Sequence, residues 1–297
     1  MINPVSLETE PPITKIKMLI VGPEKNGKSR LAATAPKPVL FHDHDNRIEA
    51  LNGFKGVFGI PYSEPPWPKT PEAIQDQLDI LAQLEQDLDL SKLVYRGKPL
   101  FPSLQPGTIL RTNVLDSTTT LGASAQRYVL HTTKDIRRDI TIPNPDPRRT
   151  IQIQLPGGWD AWNAEMATVE NIVLRFLALP VNTILTMHET AEETPDSTSE
   201  NPRYTGRVGV FPVRYRRLIK FFNEVWRVKL TAEGGRYVPK AYPLPSYEFD
   251  SATALLLDKV EEPNIEMLIQ KHEQRLKTGY SLEAGPGQKQ LPPTVKL

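Results

Sequence analysis

Apolar residues in this chain come in short blocks separated by polar, proline-rich stretches, and the blocks alternate between two periods. Met18, Leu19, Ile20 and Val21 form a run that ends in Gly22, the pattern of a buried parallel strand. Residues 29–35 follow as helix, stopped by Pro36. Val39, Leu40 and Phe41 predict a second strand, which runs into His42, Asp43, His44 and Asp45. Residues 56–69 read as loop, with prolines at 61, 65, 66 and 68. Ile74, Leu78, Leu81, Leu84 and Leu88 then recur at helical spacing, so 71–89 reads as an amphipathic helix behind an N-cap at Thr70. A third strand is expected near 108–115, ending in Asp116 and Ser117, and a helix over 121–131. Residues 132–158 read as irregular and basic.

Trp162, Met166, Val169, Val173, Phe176 and Leu177 share one face of a long helix over 159–179, and 181–187 predicts a fourth strand closed by His188. The polar stretch 189–207 has no periodicity and is expected to be mobile. Residues 213–222 read as helix, 224–231 and 236–242 as a hairpin around Gly234 and Gly235, and 265–277 as a final helix. Strands alternating with helices predict an α/β fold: a mostly parallel sheet flanked by helices, with the closing hairpin as an antiparallel extension. The expected organisation is an N-terminal segment over 1–14, one domain over 15–245 with an insertion at 56–107, an extension with a helix over 246–282, and a disordered tail over 283–297.

Composition narrows the chemistry. The 297 residues hold no cysteine, which excludes disulfides, thiolate metal sites and cysteine nucleophiles and suits a reducing cytoplasm. A net charge of +1 exerts no global pull on nucleic acid or anionic lipid, so DNA affinity must come from local patches. No apolar run approaches the ~20 residues of a membrane span. Residues 1–12 are acidic and contain proline, unlike a signal peptide.

The chemistry is concentrated at the end of the first strand. Gly22, Pro23, Glu24, Lys25, Asn26, Gly27, Lys28 and Ser29 fit G-x-x-x-x-G-K-[ST], the phosphate-binding P-loop of nucleotide hydrolases, between strand and helix as the motif requires. Backbone N–H groups of 24–28 would wrap a phosphate, with Arg30 just beyond them. Lys28 would reach the terminal phosphates of ATP, and Ser29 would ligate Mg²⁺. In parallel sheets ligands sit beyond the carboxyl ends of the strands, and Gly22, Asp45, Asp116 and His188 all lie at such ends. Asp116 is either a second Mg²⁺ anchor or a cap of the next helix. On a period of two, Asp43 and Asp45 share one face and His42 and His44 the other. Asp45 is then a general base or part of a polar loop end, and the His/Asp set could also hold a transition metal.

These elements resemble the RecA-like P-loop ATPases, in particular the short single-domain recombinases and annealing-associated ATPases of phages. The resemblance rests on residues 22–29, 41–45, 114–117, 183–188 and 215–228 and covers about 15–242. It implies that Asp45 activates the attacking water, where the family more often has Glu. It implies that His188, often Gln in the family, senses the γ-phosphate. It further implies that 132–158 and 189–207 are loops facing single-stranded DNA, through Lys134, Arg137, Arg138, Arg148, Arg149, Arg203 and Arg207. Trp159, Tyr204 or Phe211 could add a stacking surface. A RecA-like site is completed by a basic residue of the neighbouring subunit in a ring or filament. Arg203, Arg207, Arg214, Arg216 and Arg217 are the candidates, against the plainer reading of exposed helix charges. The expectation is a Mg²⁺-dependent, DNA-dependent ATPase in the cytoplasm of an infected bacterial host. It would support phage recombination or replication, with a single-strand-binding or annealing protein as a further partner. The alternatives are a packaging or helicase-loading ATPase, or a nucleotide-binding assembly module without turnover.

Overall fold

Alternation of side chains about β1 (Lys17–Gly22) shows why this strand is central. Leu19 and Val21 join one buried apolar cluster and Met18 and Ile20 another, so the strand is covered on both faces. The computed structural model describes residues 15–62, 72–133, 137–143, 150–198 and 200–278, with side chains left out over 137–143 and 150–156. The expected segments at 1–14 and 283–297 therefore lie outside the described residues. In chain order the further elements are α1 (Lys28–Ala32), β2 (Val39–Asp43), β3 (Val57–Pro61), α2 (Glu72–Gln86), β4 (Val94–Tyr95), β5 (Lys98–Pro99), β6 (Thr112–Asp116) and α3 (Thr118–Thr132). They continue with β7 (Arg137–Pro143), β8 (Thr150–Pro156), α4 (Trp159–Ala178), β9 (Asn182–Glu193), β10 (Tyr204–Phe211), β11 (Glu224–Glu233), β12 (Arg236–Tyr242) and α5 (Ile265–Thr278).

The main sheet runs β12-β11-β1-β9-β6-β2-β3, with β10 paired to the outer half of β9. Every neighbour from β11 to β3 is parallel, and β12 and β10 are antiparallel additions. The fold is thus the expected α/β one: a mostly parallel sheet between helices, with a C-terminal antiparallel pair. Residues of α2, α3 and α4 bury one face of the sheet, and residues of α1 and α5 bury the other. One strand, β9, lies between β1 and β6, so the P-loop and Asp116 open on either side of His188. Gly234 and Gly235 have φ of 55° and 77°, the left-handed pair that a tight hairpin needs.

Several expectations are corrected. The 56–69 loop contains β3, whose Gly59 and Pro61 hid a parallel edge strand. The irregular 132–158 region contains the β7–β8 hairpin. The stretch 189–207 is not a formless loop: β9 continues to Glu193 and pairs back with β10. Residues 213–222 are a 3-10 helix over Val213–Phe221 rather than an α-helix. Within β6 the polar Thr112 and Asn113 are buried, where Thr112 Oγ1 donates to the Pro36 carbonyl at 2.6 Å and Asn113 Oδ1 lies 3.0 Å from His42 Nε2.

Gly22 shows how closely the site is packed. A Cβ there would lie 2.3 Å from the Val228 carbonyl oxygen on β11. Gly22→Ala is expected to push β11 away and destabilise the protein by ~1–3 kcal/mol. A denaturant midpoint equal to that of wild type would show that β11 yields without cost.

Candidate nucleotide-binding site

β1 delivers the chain into the P-loop, whose turn depends on Gly27 at φ 87°, a left-handed conformation that favours glycine. A Cβ at Gly27 would also crowd Pro239 on β12 at 3.3 Å. The loop borders a cavity of about 340 Å³ walled by Lys25 to Arg30 on one side and by Asp45, Arg47 and Ala50 on the other, with Asp116 and His188 between. Lys28, Ser29, Asp45, Asp116 and His188 therefore come together at one site. Pro23 and Glu24 begin the same loop, and Glu24 lies 3.7 Å from His188 Nδ1.

Lys28 is buried, and its Nζ donates to the carbonyls of Gly22 and Pro23 at 2.9 and 2.6 Å. Burial lowers its pKa, against the raising pull of Asp116, Asp45, Glu189 and Glu24. Asp116 is also buried, and burial raises its pKa, offset by hydrogen bonds from the hydroxyls of Ser29 and Thr186. Ser29 and Asp116 are thus in contact, as joint support of one cation requires. A phosphate and its cation fit here: the loop is a cradle that a side chain at Gly27 would crowd, and the donors are hard oxygens. Among the described residues no group of three or more His, Asp or Glu is placed to hold a metal.

The period-two expectation for 42–45 holds for the histidines and fails for the aspartates, because β2 ends at Asp43 and the chain turns. His42 and His44 both pack against Tyr62, at ring distances of 5.7 and 4.9 Å. His42 bonds the Tyr62 hydroxyl and Asn113, and burial takes its pKa down to about 3. Asp43 is buried beneath the turn, and burial moves its pKa up to about 6. Asp45 alone of the pair faces the cavity, where its Oδ1 accepts from Ser117 Oγ at 2.9 Å.

His188 is held at its backbone, where its N–H donates to Thr119 Oγ1 at 3.1 Å while Thr119 donates to the Phe211 carbonyl at 2.8 Å. Burial is the main cause lowering its imidazole pKa, followed by Lys28. Sequence reasoning missed Arg47, Ala50, Thr119 and Thr186. Arg47 carried a signal, as a cation two residues past Asp45, but the small and hydroxyl residues carried none.

The five candidate arginines from Arg203 to Arg217 stand away from this cavity, and each is paired within the chain. Arg203 pairs with Asp196, Arg207 with Asp250 and Glu192, Arg216 with Glu192, and Arg217 with Glu170. Arg214 grips the fully buried Glu165 at 2.7 Å, beside the Tyr215 hydroxyl, and lies over the Trp162 ring. Of the other basic candidates, Lys134, Arg148 and Arg149 lie outside the described residues, and Arg137 and Arg138 begin β7. Trp159, Tyr204 and Phe211 are exposed. No described helix is long and apolar enough to cross a membrane.

A family model described as AAA domain matches residues 14–238. No match is found among curated proteins. Among solved structures, the chain is similar to the flagellar accessory protein FlaH from Methanocaldococcus jannaschii at 14% identity and a TM-score of 0.32, covering 83% of this chain and 84% of that one. It is also similar to the KaiC-like protein PH0186 from Pyrococcus horikoshii OT3 at 10% identity and a TM-score of 0.34, covering 76% and 77%.

Proposed function

The chain belongs to the AAA domain family, with the P-loop ATPase fold, and on that premise we propose that it is a Mg²⁺-dependent ATPase that binds single-stranded DNA and supports phage recombination or replication. The observation that carries the catalytic part is the meeting of Lys28, Ser29, Asp45, Asp116 and His188 at one cavity. The P-loop and Lys28 bind the β- and γ-phosphates of ATP. Ser29 and Asp116 would hold Mg²⁺, which would supply charge neutralisation on the phosphate oxygens. Asp45 takes the proton of the water that attacks the γ-phosphorus as the bond to ADP breaks. Its hydrogen bond from Ser117 orients it for this.

The DNA reading is supported by the β9–β10 hairpin. Its exposed Tyr204 and Phe211 offer flat faces for bases, and Arg203 and Arg207 offer charge. The exposed Arg203–Asp196 pair is weak enough to yield to a phosphate. Phe211 is the cross-strand partner of His188, so a strand held on the hairpin would be read at the cavity through Thr119. ATPase assays with and without single-stranded DNA test this, with several-fold stimulation expected. Turnover indifferent to DNA would favour a packaging or helicase-loading role, and absence of turnover an assembly module.

The proposal includes a ring or filament in which an arginine acts in trans. Arg214 is committed to Glu165, so the finger is sought among the more exposed Arg203, Arg216 and Arg217. Mixing Lys28→Ala with Arg216→Ala protein, and likewise with the other two, should restore hydrolysis that neither variant has alone. Absence of complementation in every mixture, from a protein that stays monomeric with ATP and DNA, would sink the shared-site model.

A further inference from the structure

The cavity has two walls, and only the P-loop wall has a motif. The other is built by the turn after β2. Backbone N–H groups of Asp45, Arg47 and Ile48 all donate to the Asp43 carboxylate, at 3.0, 2.7 and 2.7 Å. Asn46 takes φ 55°, a conformation that Asn tolerates better than most residues. The chain thereby reverses within two residues and sets Asp45 and Arg47 on the same wall.

Arg47 is exposed and lies within ion-pair distance of no carboxylate among the described residues, unlike Arg203, Arg207, Arg214, Arg216 and Arg217. Its charge acts on His188, which stands beside Gly22 at the head of the P-loop. A guanidinium lining the same cavity as the P-loop would face the flank of a bound nucleotide that the loop amides do not wrap. Its planar fork suits phosphate oxygens.

We propose that Arg47 is a cis-acting cation of the nucleotide site that contacts the terminal phosphate, and that Asp43 is the positioning residue that holds it there. This rests on the ATPase reading. A terminal-phosphate contact distinguishes ATP from ADP, whereas a contact to base, ribose or inner phosphates does not.

The test is binding of fluorescent ATP and ADP analogues to the full chain, alongside KM and kcat. Arg47→Ala should weaken ATP binding about 10-fold, the size of a lost hydrogen bond to a charged group, and leave ADP binding unchanged. Arg47→Lys should recover part of the loss. Asp43→Asn should reproduce the ATP-selective loss although Arg47 is still present. Its fold is checked by circular dichroism, and the Arg47 variants, altered at an exposed side chain, decide the assignment on their own. Equal losses for ATP and ADP, or no loss, would overturn it. Lys28→Ala separates this from the parent reading: it should lose affinity for both nucleotides, and wild-type protein that binds neither would overturn the ATPase reading itself.

Discussion

Lys28→Ala is expected to lower ATP hydrolysis by at least ~10²–10³-fold, the loss typical of removing one preorganised charge-stabilising donor. The structure makes this side chain hard to replace. It is buried to 7% exposure at the junction of the P-loop with α1. Burial lowers its pKa, and the carboxylates of Asp116, Asp45, Glu189 and Glu24 pull against that. Truncation removes the cation aimed at the phosphates and leaves neighbouring carboxylates that repel them. Initial rates measured with saturating ATP and Mg²⁺, with folding checked by thermal denaturation, decide the matter. Wild-type hydrolysis by a folded Lys28→Ala protein would remove the P-loop from the mechanism.

Asp45→Asn should behave differently. A general base acts on the attacking water in the transition state, so its loss lowers kcat by ~10²–10⁴-fold while ATP binding persists. Asn keeps the size of the side chain and can still accept from Ser117 Oγ, so the turn is preserved. Asp43→Asn is the informative contrast. Asp43 is buried and spends its oxygens on the amides of Asp45, Arg47 and Ile48, so its loss should weaken ATP binding as well as turnover. Unchanged kcat in Asp45→Asn would take it out of the chemistry.

The contrast between these neighbouring aspartates marks where the amino-acid sequence stops being informative. Period-two alternation puts both on one face only while the strand lasts, and the strand ends between them. The hairpins at β7–β8 and β9–β10 escaped for a different reason. In β7–β8, Ile140 and Ile142 and then Ile151, Ile153 and Leu155 do alternate with polar residues, but in short runs within a basic, proline-containing stretch, and the acidic, half-exposed positions of β9 and β10 dilute the alternation there. The arginines after β9 read as a pool of free cations. Their carboxylate partners come from α4, from β9 and from residues 196 and 250, and no local pattern links the two sets.

What the sequence alone determined is what local physics determines. An apolar run ending in glycine specifies a buried strand, G-x-x-x-x-G-K-S specifies a loop whose backbone can wrap phosphate, and alternating strands and helices specify a parallel sheet. Strand order, the placing of β9 between the P-loop strand and that of Asp116, and the turn that brings Arg47 across from Lys28 were decided only in the tertiary structure. The reason is range. Motifs and periodicities are set by steric and hydrophobic preferences over a few residues, whereas a site assembled from β1, β2, β6 and β9 depends on contacts between segments tens to more than a hundred residues apart.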